Sequence, residues 1–351
     1  MLARPNSGGI LIRDGNNHRI GGTTPAQRNV ISGNFGDGIL IDNSDGYLVQ
    51  GNFIGVAADG VTALGNSVNG IGIGIISFTG VGSATHGLIG GLQQGAGNVI
   101  AFNGQDGIQT RQPMGGNAIL SNSIHSNFLL GIAYGLDNIV VPNDRRLTHG
   151  GVQIKFPVLH SAQSEGGQTT VSGHLDSLPN ATYLLQFFSN ANVDASGFGE
   201  GETFIGSANV VTDASGHVDF TAVLPVAVAN GRVITATATD ATNNTSQFSR
   251  RVGVGEVING IITVNTTDDV DDGTADATHT SLREAIHAAN NHPGRDGIRF
   301  AIGSGTKTIA PLTPLPAILD SIVIDGWTQP GFAGTPIIEI SGAQMEREKF
   351  N

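Results

Sequence analysis

The densest group of ionisable side chains is Asp268-Asp269-Val270-Asp271-Asp272-Gly273. Carboxylate oxygens this close together suit a hard cation, since calcium is bound through oxygen ligands. Asp268, Asp269, Asp271 and Asp272 are therefore candidate ligands of a structural calcium ion. The spacing departs from an EF-hand loop, because Val270 stands where the second ligand belongs. The alternative is a solvated acidic turn, which the nearby Arg283 could neutralise; His279 is also close in sequence. No other cofactor is indicated. None of the ten histidines falls in an H-E-x-x-H pattern.

A second chemistry to test is glycoside hydrolysis, which needs two carboxyl groups about 5–9.5 Å apart. Residues 1–140 contain neither Glu nor Lys. Their acids are Asp14, Asp37, Asp42, Asp45, Asp59, Asp106 and Asp137. Asp37 and Asp59 lie 22 positions apart, nearly one turn of a 23-residue repeat, and are the best catalytic pair on offer. Each stands beside glycine in a turn phrase, which is the competing reading. A lyase would want Arg or Lys beside calcium-binding acids, and Arg13 and Arg111 are isolated.

The elements that must position these residues are repeated. Ile20-Gly21-Gly22, Asn29-Val30-Ile31, Asn34 and Asp37-Gly38-Ile39 recur as Ile89-Gly90-Gly91, Asn98-Val99-Ile100, Asn103 and Asp106-Gly107-Ile108, each 69 positions on. A constant offset over several landmarks marks an internal repeat. It divides into three steps of 23, which would set Asp37 and Asp106 three coils apart, about 14 Å at strand spacing. Short aliphatic runs broken by Gly and Asn predict strands of a few residues. Gly and Asn supply the left-handed backbone that sharp corners need. Asn29, Asn52, Asn98 and Asn122, each two residues before Ile, are placed to form a side-chain amide ladder.

Past residue 140 the texture changes. Residues 141–155 read as a linker. Residues 156–254 carry longer alternating runs, such as Thr182–Phe188 and Val233–Thr239, which predict a β-sandwich. Residues 260–342 hold the one convincing helix, Ser281–Asn290. Ser281 and Glu284 form a capping box, and Leu282, Ala285, Ile286 and Ala289 share one apolar face. Residues 343–351 are a charged tail.

Three resemblances follow from these residues. Val49-Gln50-Gly51-Asn52-Phe53-Ile54-Gly55 with Ala58–Asn66 resembles a coil of the right-handed parallel β-helix repeats of the pectin-lyase-like superfamily, as found in large bacterial surface proteins. Ala236–Asp240 with Asn244–Ser249 resembles the last strands of bacterial Ig-like modules. Thr280-Ser281-Leu282-Arg283-Glu284-Ala285, continuing through Ile324–Gly331 to Gly342, resembles the CSLREA domain. That family uses the segment to open a β-helix, which implies a helix covering the first coil. Thr280 stands at the family's name-giving Cys and Ala275 at a second, so a clasp of this loop must use other means, a bound cation among them. Polygalacturonase-like chemistry would look to Gly104-Gln105-Asp106, His149-Gly150 and Gln153-Ile154-Lys155. The last two are too close in sequence to lie on separate coils, which rejects it.

The expectation is an all-β chain: a right-handed parallel β-helix, an Ig-like β-sandwich, and a β-helix-capping segment with one short α-helix. Net charge is −12 with lysine at only three positions, which argues against nucleic acid. No run is apolar for the ~18 residues that a membrane span needs. Met1–Asn6 lacks the apolar core of a signal peptide, and Gly9–Ile12 already reads as a coil, so a piece of a tandem array is expected. The function implied is a non-catalytic exported or cell-surface structural or adhesive protein, extracellular, with a polysaccharide or host-surface ligand as partner. The alternatives are a carbohydrate-active enzyme and a carbohydrate-binding module, the latter needing exposed aromatics beyond Tyr47, Tyr134 and scattered Phe.

Overall fold

The computed structural model describes residues 6–74, 76–77, 80–81, 84–110, 115–135, 140, 143, 154–192, 196–255, 258–292, 295–319, 321–332 and 336–344. Among these residues strands dominate, with one α-helix, Leu282–Asn291. The chain divides into two compact units, 1–255 and 256–351. Most of the expected linker, 141–155, and of the charged tail, 343–351, lies outside the described residues, as do Arg111, Asp137, His149, Gly150 and Gln153.

In the first unit, residues 10–134 wind repeatedly through three parallel sheets. The first sheet stacks Ile10–Arg13, Ile39–Asp42, Ile71–Ile73, Ile108–Thr110 and Ile132–Tyr134. The second stacks Arg19–Gly21, Leu48–Gln50, Leu88–Gly90 and Ala118–Leu120. The third stacks Val30–Ile31, Phe53–Ile54, Val99–Ala101 and Ser123–His125. Like residues lie over like: Ile39, Ile71 and Ile108 are fully buried in line, as are Val49 and Ile89. This stacking buries the aliphatic face of every strand in one continuous core.

The 69-position offset is two circuits, not three. Ile39 faces Ile71 and Ile71 faces Ile108; Val30 faces Phe53 and Phe53 faces Val99. The surplus residues sit in excursions between strands. One is closed by the antiparallel bridge Val56–Ala63 and another by the antiparallel pair Ile76–Ser77 and Gly80–Val81. Loop length is free to vary there because it leaves the stacked strands in register.

Amide ladders tie the circuits together. Asn29 Nδ2 donates to Asn52 Oδ1, Asn52 to Asn98 and Asn98 to Asn122, at 2.9, 3.0 and 2.8 Å. A second ladder runs from Asn34 through Asn66 and Asn103 to Asn127.

Residues 158–253 form two antiparallel sheets. One holds Val158–Glu165, Gln168–Asp176 and His217–Leu224; the other holds Thr203–Val211, Thr182–Asn190, Val233–Asp240 and Val252–Gly253. They share a core that includes Val171, Leu175, Tyr183, Phe187 and Phe220. This part closes the end of the wound region. Phe188 and Phe248 enter its isoleucine core. A Cβ on Gly131 would lie 2.9 Å from the Phe248 ring, so glycine is required there. Ile124 and Gly201 exchange backbone hydrogen bonds, and Glu200 accepts from the N–H groups of Ser126 and Asn127.

In the second unit, Ile258–Val264, Arg295–Phe300 and Ile322–Asp325 form a parallel sheet, and Lys307–Ile309 pairs in parallel with Ile338–Ile340. The helix forms where its capping box begins it. Ser281 Oγ accepts from Glu284 N, and the Glu284 carboxylate accepts from Ser281 N. Leu282, Ala285, Ile286 and Ala289 pack with Val264, Ile298 and Phe300.

Candidate metal centre

The acidic loop is an excursion between the strand ending at Val264 and the helix. Asn265 pins its base: its side chain accepts from Thr280 N and donates to the carbonyls of Asp276 and Ala277. Thr280, buried, donates its hydroxyl to Asp276 O at 2.7 Å. That bond clasps the loop with no thiol present.

The four predicted calcium ligands do not converge. Asp269 turns inward, with its side chain 7% exposed, and forms a two-pronged pair with Arg283 Nε and Nη2 at 3.0 and 2.8 Å. It also accepts from Leu312 N. Burial works against its charge, but these bonds outweigh it and hold the carboxyl below its usual range. Asp271 Oδ2 lies 3.5 Å from His287 Nε2. Asp268 accepts from His279 Nε2 at 3.0 Å and from Val270 N and Thr266 Oγ1. Asp272 is exposed and caps Thr274 N with its other oxygen. Neutralisation by Arg283, one of the sequence alternatives, is thus found at Asp269.

A different trio does converge. One ligand atom each from Asp272, His279 and Glu284 lie within 4.8 Å of one another. His279 Nδ1 is 3.1 Å from Glu284 Oε2 and 4.0 Å from Asp272 Oδ2. Nδ1 is shut away from solvent, and the angles at it meet no hydrogen bond. Glu284 is buried, and its two oxygens already accept from Asp272 N and Ser281 N. Burial opposes its charge, yet these donors and His279 hold its carboxyl low. His279 is raised above its ordinary value, first by its bond to Asp268. The sequence named His279 only as a neighbour, and Glu284 only as a cap. The capping box in fact aims the Glu284 carboxylate, but nothing in its spacing shows that the loop folds back onto it.

The carboxylates of the wound region behave differently. One circuit from Asp37 lies Asn69, not Asp59: Asp37 Oδ1 accepts from Asn69 N and Nδ2. Asp59 sits in the excursion that follows the third sheet and caps its own turn, accepting from Val61 N, Thr62 N and Thr62 Oγ1. The one-circuit register expected between Asp37 and Asp59 is absent, because the circuit there is 32 positions long. Asp106 is two circuits from Asp37 and fully buried, so it cannot meet a substrate. Tyr47 and Tyr134 are buried as well, which removes them as sugar platforms. Among the described residues of this region the exposed aromatics are Phe35 and Phe128.

Comparison with known proteins gives no assignment: the chain matches no protein-family model and no curated protein. Among the described residues no helix is long and apolar enough to cross a membrane.

Proposed function

We propose that this chain is a non-catalytic structural or adhesive protein of the exported or cell-surface kind. In this reading residues 10–134 are a right-handed parallel β-helix that serves as a stalk or binding face. Residues 156–254 are an Ig-like module seated on its end. Residues 260–342 are a CSLREA-like segment that opens a further β-helix. The observation that carries the reading is the use made of the polar side chains. In the wound region the buried asparagines are engaged in circuit-to-circuit hydrogen bonds, and the carboxylates proposed for catalysis cap turns or rungs. Such an arrangement favours length and rigidity over reaction. A polysaccharide or a host-surface molecule is the partner proposed, and Phe35 and Phe128 are the exposed rings for stacking on a sugar.

The test is to incubate the full chain with polygalacturonate, pectin and other acidic polysaccharides. Reducing ends and unsaturated products are followed alongside binding on a glycan array. Binding without turnover, weakened in Phe35→Ala or Phe128→Ala, is the expected result. Turnover that Asp37→Asn or Asp59→Asn abolishes would sink the structural reading in favour of an enzyme.

A further inference from the structure

We propose that Asp272, His279 and Glu284 form a transition-metal site, selective for zinc over calcium, that clasps the loop 266–279 to the start of the helix. Three observations carry it. The first is the donor set. One imidazole nitrogen and two carboxylate oxygens, mutually within 4.8 Å, suit a borderline cation such as zinc. Calcium wants six to eight oxygens. Here Asp269 is taken by Arg283 and Asp271 lies toward His287.

The second is the hydrogen bond on the far side of the ring. Nε2 faces the Asp268 carboxylate at 3.0 Å, an acceptor, so Nε2 carries a proton. In the neutral ring the lone pair is then on Nδ1, the atom facing Glu284 and Asp272. A carboxylate behind a metal-bound histidine is a recurrent outer-shell arrangement that fixes tautomer and ring orientation.

The third is that Nδ1 is left without a hydrogen bond in a place water does not reach. A proton on Nδ1 would ease the two carboxylates but makes no hydrogen bond to either, whereas a metal ion displaces that proton and takes up the lone pair and both oxygens together. The separations of 3.1 and 4.0 Å bracket the roughly 3.4 Å between ligand atoms around a tetrahedral zinc with bonds of about 2.1 Å. Three protein ligands leave the fourth position to water.

The test uses the full chain, stripped of metal, titrated with ZnCl2 by calorimetry and separately with CaCl2. Cobalt is the spectroscopic probe, and the His279 ring nitrogens are followed by NMR. Two variants remove ligands: Asp272→Asn, which keeps an acceptor for Thr274 N at an exposed position, and His279→Gln. A third, His174→Gln with His217→Gln, removes the two histidines beside Asp176 and so breaks up the cluster they form with His160. The expected result is one zinc per chain, with a shifted His279 Nδ1 resonance. Affinity falls about tenfold or more in each ligand variant, and the third variant is unaffected. The proposal is overturned if zinc does not bind, if calcium binds more tightly than zinc, if neither ligand variant weakens binding, or if the His174/His217 variant abolishes it.

Discussion

Asp106 holds a carboxyl where the stacked circuits offer it too few donors. One oxygen accepts from Leu130 N at 2.9 Å; the other is buried and has no partner among the described residues. Burial is the dominant influence, and it pushes the group up to about 6. In the unfolded chain an aspartate titrates near about 3.9. Between these values the folded state binds more protons than the unfolded state, so stability falls as pH rises through that window and levels off above it. The expected loss from pH 4 to 7 is about 1–3 kcal/mol. Asp106→Asn should remove most of that slope and raise the melting temperature at pH 7.5. The variant keeps an acceptor for Leu130 N and adopts the residue type found one circuit away, at Asn69. Urea melts of both proteins across pH 4–8 check it, and parallel pH profiles for the two would refute the assignment. Asp106 stands in the sequence as an acid at a repeat landmark, Asp106-Gly107-Ile108. Its burial is not legible there, because that depends on which residues the next circuit lays over it.

The ladders are what local pattern shows best. The expected amide ladder through Asn29, Asn52, Asn98 and Asn122 is present rung for rung, because an amide that both donates and accepts stacks on its own kind at strand spacing. What the pattern did not show was the number of circuits: excursions of unequal length add residues to a circuit without adding a strand to the stack. The ladder predicts a gradient of mutational cost. Asn98 accepts from both Asn52 N and Asn52 Nδ2, and donates to Val49 O and Asn122 Oδ1. Asn98→Ala would strand buried donors and acceptors on both neighbours, at a cost of about 2–4 kcal/mol. Asn29 is exposed on the first circuit and donates to Asn52 alone, so Asn29→Ala should cost less than about 1 kcal/mol. Denaturant midpoints of the two variants give the comparison. Equal losses would mean that the ladder is ornament to a stack held by its isoleucines.

Within residues 1–255 the largest surprise is that the antiparallel sheets are an end piece. The last wound strands present open backbone and the apolar edge of a core, which any stack of strands must cover. Coverage comes from residues remote in sequence: Thr245 Oγ1 accepts from Ile119 N, Asn244 from Gly116 N, Gln186 from Ser121 N, and Gln247 donates to Ile132 O. No pattern within either segment announces such pairings. Each segment reads as a complete element, and the polar residues that join them look like ordinary turn and strand residues. Phe248 is the apolar centre of the junction, 3% exposed, edge-on to Phe188 with ring centroids 5.3 Å apart. Phe248→Ala would remove that ring from the isoleucine core at a cost of about 3–5 kcal/mol. The loss falls on the coupling between the two parts more than on either core, since the second core, around Phe187 and Phe220, does not include it. Calorimetry on the full chain should therefore show the wound region and the antiparallel sheets melting together in the wild type. In Phe248→Ala their transitions should separate, with the end of the stack newly able to bind a hydrophobic dye. If the variant lowers a transition that stays single, the two parts are coupled mainly through the backbone and polar contacts, such as those of Gly201 and Glu200.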